Sequence, residues 1–189
     1  MNHTRQCLTA LCLLFMATVG SATSEPDEDL AINSASAAFV NGVVQLTAET
    51  RYPLTDRIRD ALQDGVTLAF ELEVIVSRPR RFWLDANLVE INIRRELSYH
   101  LISERYVVTG PGTNEQLSFP TLEAALEQLG HVENFPVTVK AQLRGDGPWE
   151  ISVRAGIRRG RIPDTLRSVM FWSDSWHRTT EWKTWPLTD

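Results

Sequence analysis

Apolar and polar residues alternate along much of the chain, which is the pattern of β-strands that bury one face. Such alternation predicts strands over 66–76, 89–94, 97–101, 137–143 and 149–157. On the first of these, Glu71 and Glu73 fall on the polar face, which we expect to be wet. A turn-rich segment at 145–148 separates the last two strands, so we predict that they pair as an antiparallel hairpin.

Turn and helix signals lie between the alternating runs. Asn41-Gly42 separates two β-type runs and predicts a hairpin, because both positions of a type I′ turn need a positive φ. A helical spacing of apolar residues predicts one short helix over about 55–64, capped by Thr55. A second helix is predicted over about 121–129, following Pro120.

These elements define the fold class. Strands with one apolar face need a covering layer, which the two helices or a second sheet must supply. The sequence therefore predicts an α+β fold that is mainly antiparallel β, either β-sandwich-like or a curved sheet with two short helices. The length of 189 residues suggests one domain, which we place at 36–189 after a flexible acidic leader at 25–35.

The first 24 residues have the pattern of a secretory signal peptide. Arg5 is the only charged residue, and about 14 apolar or small residues follow it, too few to span a bilayer. Small residues at Gly20 and Ala22 suit cleavage after Ala22, and those at Ala22 and Ser24 suit a second site after Ser24. We therefore expect an exported, periplasmic protein with no transmembrane span after cleavage.

Both cysteines, Cys7 and Cys12, lie inside this segment. The mature chain would then have no disulfide, no thiolate metal site and no cysteine nucleophile. Its net charge becomes −6, since 18 basic residues remain against 24 acidic ones. An acidic chain is a poor candidate for nucleic-acid binding, so no nucleic-acid partner is expected.

Four short motifs follow one another in order along the chain. They are Ser98–Leu101 with Arg105–Tyr106, Phe119–Leu126 with Leu129–Gly130, Arg161–Arg167, and the aromatic stretch Trp172–Trp185. In this order they resemble an uncharacterised proteobacterial family, domain of unknown function family 4390. The resemblance implies a β-rich exported domain with no assigned activity, and an envelope partner such as the ectodomain of a sensor histidine kinase.

Four of the six tryptophans lie in the last 18 residues, namely Trp172, Trp176, Trp182 and Trp185. Tryptophan rings can close a core, anchor a protein interface, or contact a ligand or membrane. Trp172 and Trp176 share a face in either a helix or a strand, so their spacing leaves both structures open for 165–185.

Arginines form two clusters in the sequence. One cluster is Arg78, Arg80 and Arg81, and the other is Arg154, Arg158, Arg159, Arg161 and Arg167. Guanidinium groups bind carboxylates or phosphates bidentately, so two clusters at one end of a sheet would suit an anionic ligand. The alternative is a solvated surface on which the arginines pair with acidic residues.

Catalytic motifs are absent from the sequence. There is no HExxH, Walker loop, GxGxxG or GxSxG pattern. His131-Val132-Glu133 matches the start of the zinc deaminase signature, but the required PCxxC is missing. Glu71 and Glu73, about 7 Å apart on one strand face, are compatible with a carboxylate pair, although exposed glutamates on strands are common.

The sequence therefore predicts a non-enzymatic interaction or sensing-accessory domain of the bacterial envelope, with no cofactor, metal or catalytic residue. The first alternative is a binding module for an anionic lipid or saccharide. The second is a hydrolase with an unrecognised site, against which the missing motifs count most. The candidate interaction surface consists of Trp172, Trp176, Trp182, Trp185, Arg158, Arg159, Arg161 and Arg167.

Overall fold

Two antiparallel sheets and two helices make up the part of the chain that the computed structural model describes, which is residues 29–79, 86–110, 116–143, 147–161 and 177–188. A 3₁₀ turn at Lys140–Gln142 follows the seventh strand. The elements in chain order are β1 Ala31–Val40, β2 Val43–Arg51, α1 Asp56–Gln63, β3 Leu68–Arg78, β4 Ala86–His100, β5 Arg105–Thr109, β6 Gln116–Phe119, α2 Leu122–Gly130, β7 His131–Val139, β8 Glu150–Arg159, β9 Arg178–Thr179 and β10 Lys183–Pro186.

The large sheet has the strand order β10-β8-β3-β4-β5-β6, with β9 also paired to β8. The small sheet has the order β1-β2-β7. All strand pairs within both sheets are antiparallel. The predicted fold class, α+β and mainly antiparallel β, is therefore confirmed.

One face of the large sheet, which we call the inner face, is covered in two halves. The small sheet packs on the half that carries Leu72, Val74 and Val76 of β3. The two helices pack on the other half, against Leu68 and Phe70. Both covering layers considered in the sequence analysis, the helices and a second sheet, are therefore present side by side. Strand β3 has 11 residues and is long enough to contact both.

The turn and the two helices predicted from local sequence patterns are present in the structure. Asn41 and Gly42 both adopt a positive φ, of 52° and 79°, in a two-residue turn between β1 and β2. The hydroxyl of Thr55 accepts a hydrogen bond from the amide of Ile58 at the start of α1. Thr121 caps α2 in the same way through the amide of Ala124. The hairpin and both helices are therefore confirmed.

The junction between α2 and β7 is held by Arg95 of β4. Its Nη1 donates to the carbonyl oxygens of Gln128, Leu129 and His131 at 3.0, 3.3 and 2.9 Å. These acceptors include carbonyls of the last helical turn, which have no partner within a helix. Arg95 is partly desolvated there, and this burial lowers its pKa.

The C-terminal residues close the side of the molecule where both sheets have an edge. Strand β10 pairs with β8 of the large sheet, with Trp185 opposite Ile151. Two residues after the end of β10, Thr188 forms backbone hydrogen bonds with Ala37 and Phe39 of β1 in the small sheet. Trp185 and Leu187 pack against the core between the sheets. We call residues 183–188 the C-terminal clasp.

Two predictions about the order and bounds of the elements are wrong. The strand predicted at 137–143 does not pair with 149–157: β7 ends at Val139 and pairs with β2, whereas β8 pairs with β3 and β10. Alternation identifies the buried face of a strand but not its neighbour. The leader predicted at 25–35 also ends too late, because β1 begins at Ala31 and Ile32 is buried in the core.

Candidate functional site

The candidate site lies on the face of the large sheet that points away from the small sheet and the helices, which we call the outer face. Side chains alternate along strands, so the register of the sheet decides which polar residues meet there. Glu71 of β3 lies opposite Arg94 of β4, and Glu73 of β3 lies opposite Arg154 of β8. Arg158 is four residues beyond Arg154 and therefore shares this face.

These residues form a chain of ion pairs across three strands. Glu71 contacts Arg94 at 3.5 Å and the Nε of Arg158 at 2.9 Å. Glu73 is bound by Arg154 and lies 3.7 Å from Arg158. The Arg158–Glu71 contact is ionic and not a well-directed hydrogen bond, because no donor among the described residues is aligned with Oε2 of Glu71. Each carboxylate thus contacts two guanidinium groups.

Glu71 is not on a wet surface as predicted, because its side chain is only 5% exposed. A buried carboxylate is costly unless positive charge compensates it, and Arg94 and Arg158 supply that charge. The candidate carboxylate pair is therefore a pair of ion-bridged side chains. This matches the second interpretation of the arginines, in which they pair with acidic residues.

Trp182 extends this network to the edge of the sheet. The guanidinium carbon of Arg154 lies 4.6 Å from the centre of the Trp182 ring, which is a cation–π contact. Trp182 remains 37% exposed. Beside it, Ser152 and Thr184 join β8 to β10 through their hydroxyl groups, 2.8 Å apart. We call Trp182, Arg154, Arg158 and Glu73 the tryptophan–arginine cluster.

The predicted interaction surface is only partly assembled. Arg158 and Trp182 belong to one cluster, whereas Trp185 packs against the core and Arg159 follows the inner-face register opposite Leu68. Arg161 is exposed at the end of β8, where its carbonyl accepts from the amide of Thr67. Three predicted residues lie outside the described part of the chain: Trp172, Trp176 and Arg167.

The two arginine clusters are not at one end of the sheet. Arg78 ends β3, whereas Arg158 and Arg159 pair with Ala69 and Leu68 at its beginning. Ten residues of strand separate these positions, which is about 33 Å. Arg80 and Arg81 lie outside the described residues. A single anionic ligand therefore cannot contact Arg78 and Arg159 together.

A second polar group occupies the small sheet. Nδ1 of His131 lies 2.5 Å from Glu49 on the neighbouring strand β2, and its Nε2 lies 3.6 Å from Glu133. The hydrogen bond and charge of Glu49 raise the pKa of His131. The carboxylates approach different ring nitrogens, and the described residues contain no group of three side chains arranged to hold a metal ion.

An exposed aliphatic pair was missed in the sequence. Leu101 was assigned to the face of a strand, but the structure places it with Ile102 in the turn between β4 and β5. Leu101 is 68% exposed and Ile102 is fully exposed. The signal was available, since two consecutive large aliphatic residues interrupt the alternation immediately before Ser103 and Glu104.

These features define a class of protein: a β-rich, two-sheet domain whose outer face carries a network of ion pairs. The chain belongs to the domain of unknown function family DUF4390, whose profile matches residues 27–186. This confirms the resemblance inferred from the four motifs. No curated protein and no solved structure matches the chain significantly. No helix within the described ranges is long and apolar enough to cross a membrane.

Proposed function

We propose that this protein is an exported, non-enzymatic interaction or sensing-accessory domain of the bacterial cell envelope. Its partner is another envelope protein, such as the ectodomain of a sensor kinase. The working surface is the tryptophan–arginine cluster at the β8–β10 edge of the large sheet. One observation carries the proposal: Trp182 is exposed and is held against Arg154, which is itself bound to Glu73.

Tryptophan and arginine are the side chains most enriched among residues that dominate protein–protein binding energy. Here both are fixed before any partner arrives, because Arg154 is bound by a carboxylate on one side and covered by the indole on the other. A side chain that is already ordered loses less conformational freedom on binding. The cluster therefore has the composition and the preorganisation of an anchor for a protein interface.

The alternative function, binding of an anionic lipid or saccharide, has less support. Arg154 and Arg158 are already in contact with Glu71 and Glu73, so an anionic ligand would have to compete with these carboxylates. The same contacts argue against the two glutamates as a hydrolytic pair, since both are engaged with guanidinium groups. A protein partner needs no such exchange, because it can bind over the intact cluster.

The test is crosslinking in living cells that export the protein with a C-terminal tag. Adducts are purified through the tag and identified by mass spectrometry. We expect one specific envelope protein in the wild-type sample. Trp182→Ala removes the exposed ring, and we expect it to reduce that adduct about tenfold or more, as for a residue that dominates binding.

Leu117→Ala provides a matched control, because Leu117 is also an exposed apolar residue but lies on β6 at the opposite edge of the large sheet. It should leave the adduct unchanged. An adduct that survives Trp182→Ala would place the interface elsewhere on the molecule. Adducts with only abundant bystander proteins would contradict the proposed function itself.

A further inference from the structure

The turn between β4 and β5 exposes more aliphatic surface than its place in the fold requires. Leu101 and Ile102 are consecutive residues, and both project into solvent from the end of a hairpin. The hairpin behind them is well paired, with His100 opposite Arg105 and the rings of Tyr99 and Tyr106 4.9 Å apart. The apolar residues are therefore held outward by an ordered strand pair.

We propose that this turn, residues 101–104, is a membrane-contacting tip that inserts Leu101 and Ile102 into the surface of a phospholipid bilayer. All four residues of the turn are exposed, so Leu101 and Ile102 lie on the convex end of the hairpin. A pocket on a protein partner would have to enclose a convex projection from several directions. A bilayer surrounds an inserted tip without any such shape requirement.

The residues around the tip suit this depth of insertion. His100 and Arg105 lie one position behind it, where they would meet lipid phosphates. Arg105 is positioned by hydrogen bonds to the hydroxyl and carbonyl of Ser118, at 2.6 and 2.8 Å. Glu104 lies within the turn and opposes this attraction with one negative charge. Because these charges offset one another, aliphatic insertion provides most of the binding energy.

The tip is independent of the tryptophan–arginine cluster. The tip follows the end of β4, near the pair formed by Leu97 and Leu68 at the beginning of β3. Strand β10 pairs with the beginning of β8, which lies beside the end of β3. Trp182 thus lies beside β8 on the far side of β3 from the tip, and of the cluster only Arg158 lies toward the tip's end of the sheet. The inference goes beyond the proposed function, because vesicle binding requires neither a partner protein nor Trp182.

The test is co-flotation of the purified, exported protein with two kinds of vesicle. One contains phosphatidylcholine alone, and the other mixes phosphatidylethanolamine with phosphatidylglycerol. We expect binding to both, with little loss at high salt, because burial of aliphatic surface is not screened. Ile102→Ser should weaken partitioning about tenfold, and the Leu101→Ser/Ile102→Ser double variant about a hundredfold.

Three further variants separate the possible outcomes. Ile102→Trp should keep or strengthen binding, because tryptophan favours the membrane interface. The Val40→Ser/Val139→Ser variant removes exposed aliphatic residues from the small sheet and should bind like the wild type. Trp182→Ala should also bind normally, which distinguishes this inference from the proposed function. Failure of the wild type to float with either vesicle, or equal flotation of the double tip variant, would overturn the proposal.

Discussion

Gly130 shows how a single residue determines the junction between α2 and the small sheet. A Cβ atom built at this position would lie 2.0 Å from the carbonyl oxygen of Thr50. This distance is far below any van der Waals contact, and the neighbour is backbone and not a flexible side chain. The end of α2 can therefore approach β2 closely only if residue 130 has no side chain.

We expect Gly130→Ala to lower the free energy of unfolding by at least about 1–3 kcal/mol, because the end of α2 must move away from β2 to make room for the methyl group. Urea denaturation measures the change. Gly156→Ala is the control, since its nearest neighbour would be a methyl carbon of Thr179 at 3.3 Å, which leaves room for small adjustments. Equal stability of the two variants would show that the close approach of α2 to β2 does not limit stability.

His131 makes the same junction sensitive to pH. Glu49, and more weakly Glu133, raise its pKa in the folded protein above the value of about 6.5 typical of an unfolded chain. The protonated imidazolium is thus stabilised by folding. Its contribution is fully present below the unfolded pKa and is lost as pH rises through the folded pKa.

An NMR titration of the His131 ring should therefore give a pKa above that of an unfolded chain, and Glu49→Gln should lower it. The free energy of unfolding of wild-type protein should change between the unfolded and the folded pKa of His131. The His131→Gln variant should lack this part of the pH dependence. The effect on stability is expected to be small, because His131 is exposed to solvent. A titration unaffected by Glu49→Gln would contradict the contact between these two residues.

At the scale of the elements, local signals were sufficient wherever a few neighbouring residues decide the conformation. The turn at Asn41-Gly42 needs only two residues that tolerate a positive φ, and Thr55 needs only an amide three residues ahead. The partner of β7 depends instead on contacts with a strand some 90 residues earlier. Sequence alternation contains no information about that choice, so a local hairpin was predicted and the actual pairing was missed.

The sequence leaves both helix and strand open for residues 165–185, and Trp182 and Trp185 in and beside β10 have different roles. Trp185 packs against the core, whereas Trp182 lies just before the strand on the outer side. Their spacing of three residues separates them in a strand but would bring them near one another in a helix. Only the pairing of β10 with β8 decides between these possibilities.

We expect Trp185→Ala to lower the free energy of unfolding by about 2 kcal/mol, somewhat less than the roughly 3–5 kcal/mol for a fully buried tryptophan. Trp182→Ala is the matched control and should cost about 1 kcal/mol or less, since it loses mainly a partly exposed cation–π contact. Thermal and urea denaturation measure both. A larger loss for Trp182 than for Trp185 would contradict their assignment to surface and core.

On the scale of the whole molecule, composition and pattern are enough to predict the class of fold. They do not predict which side chains from different strands come into contact. Glu71 and Glu73 were recognised as neighbours on one strand face. Their partners, Arg94, Arg154 and Arg158, come from strands on both sides, which meet only after the sheet has formed. The ion-paired outer face is therefore a property of the assembled sheet, and no single motif encodes it.

The C-terminal clasp also affects the order in which the protein can fold. Residues 183–188 complete an edge of both sheets and follow every other strand in the chain, so neither sheet can be finished until this segment has been synthesised. During synthesis the chain has strands with unpaired edges and a core that still lacks Trp185 and Leu187. The proposed export would benefit from this order, because the two sheets cannot be joined before the segment that joins them has been made.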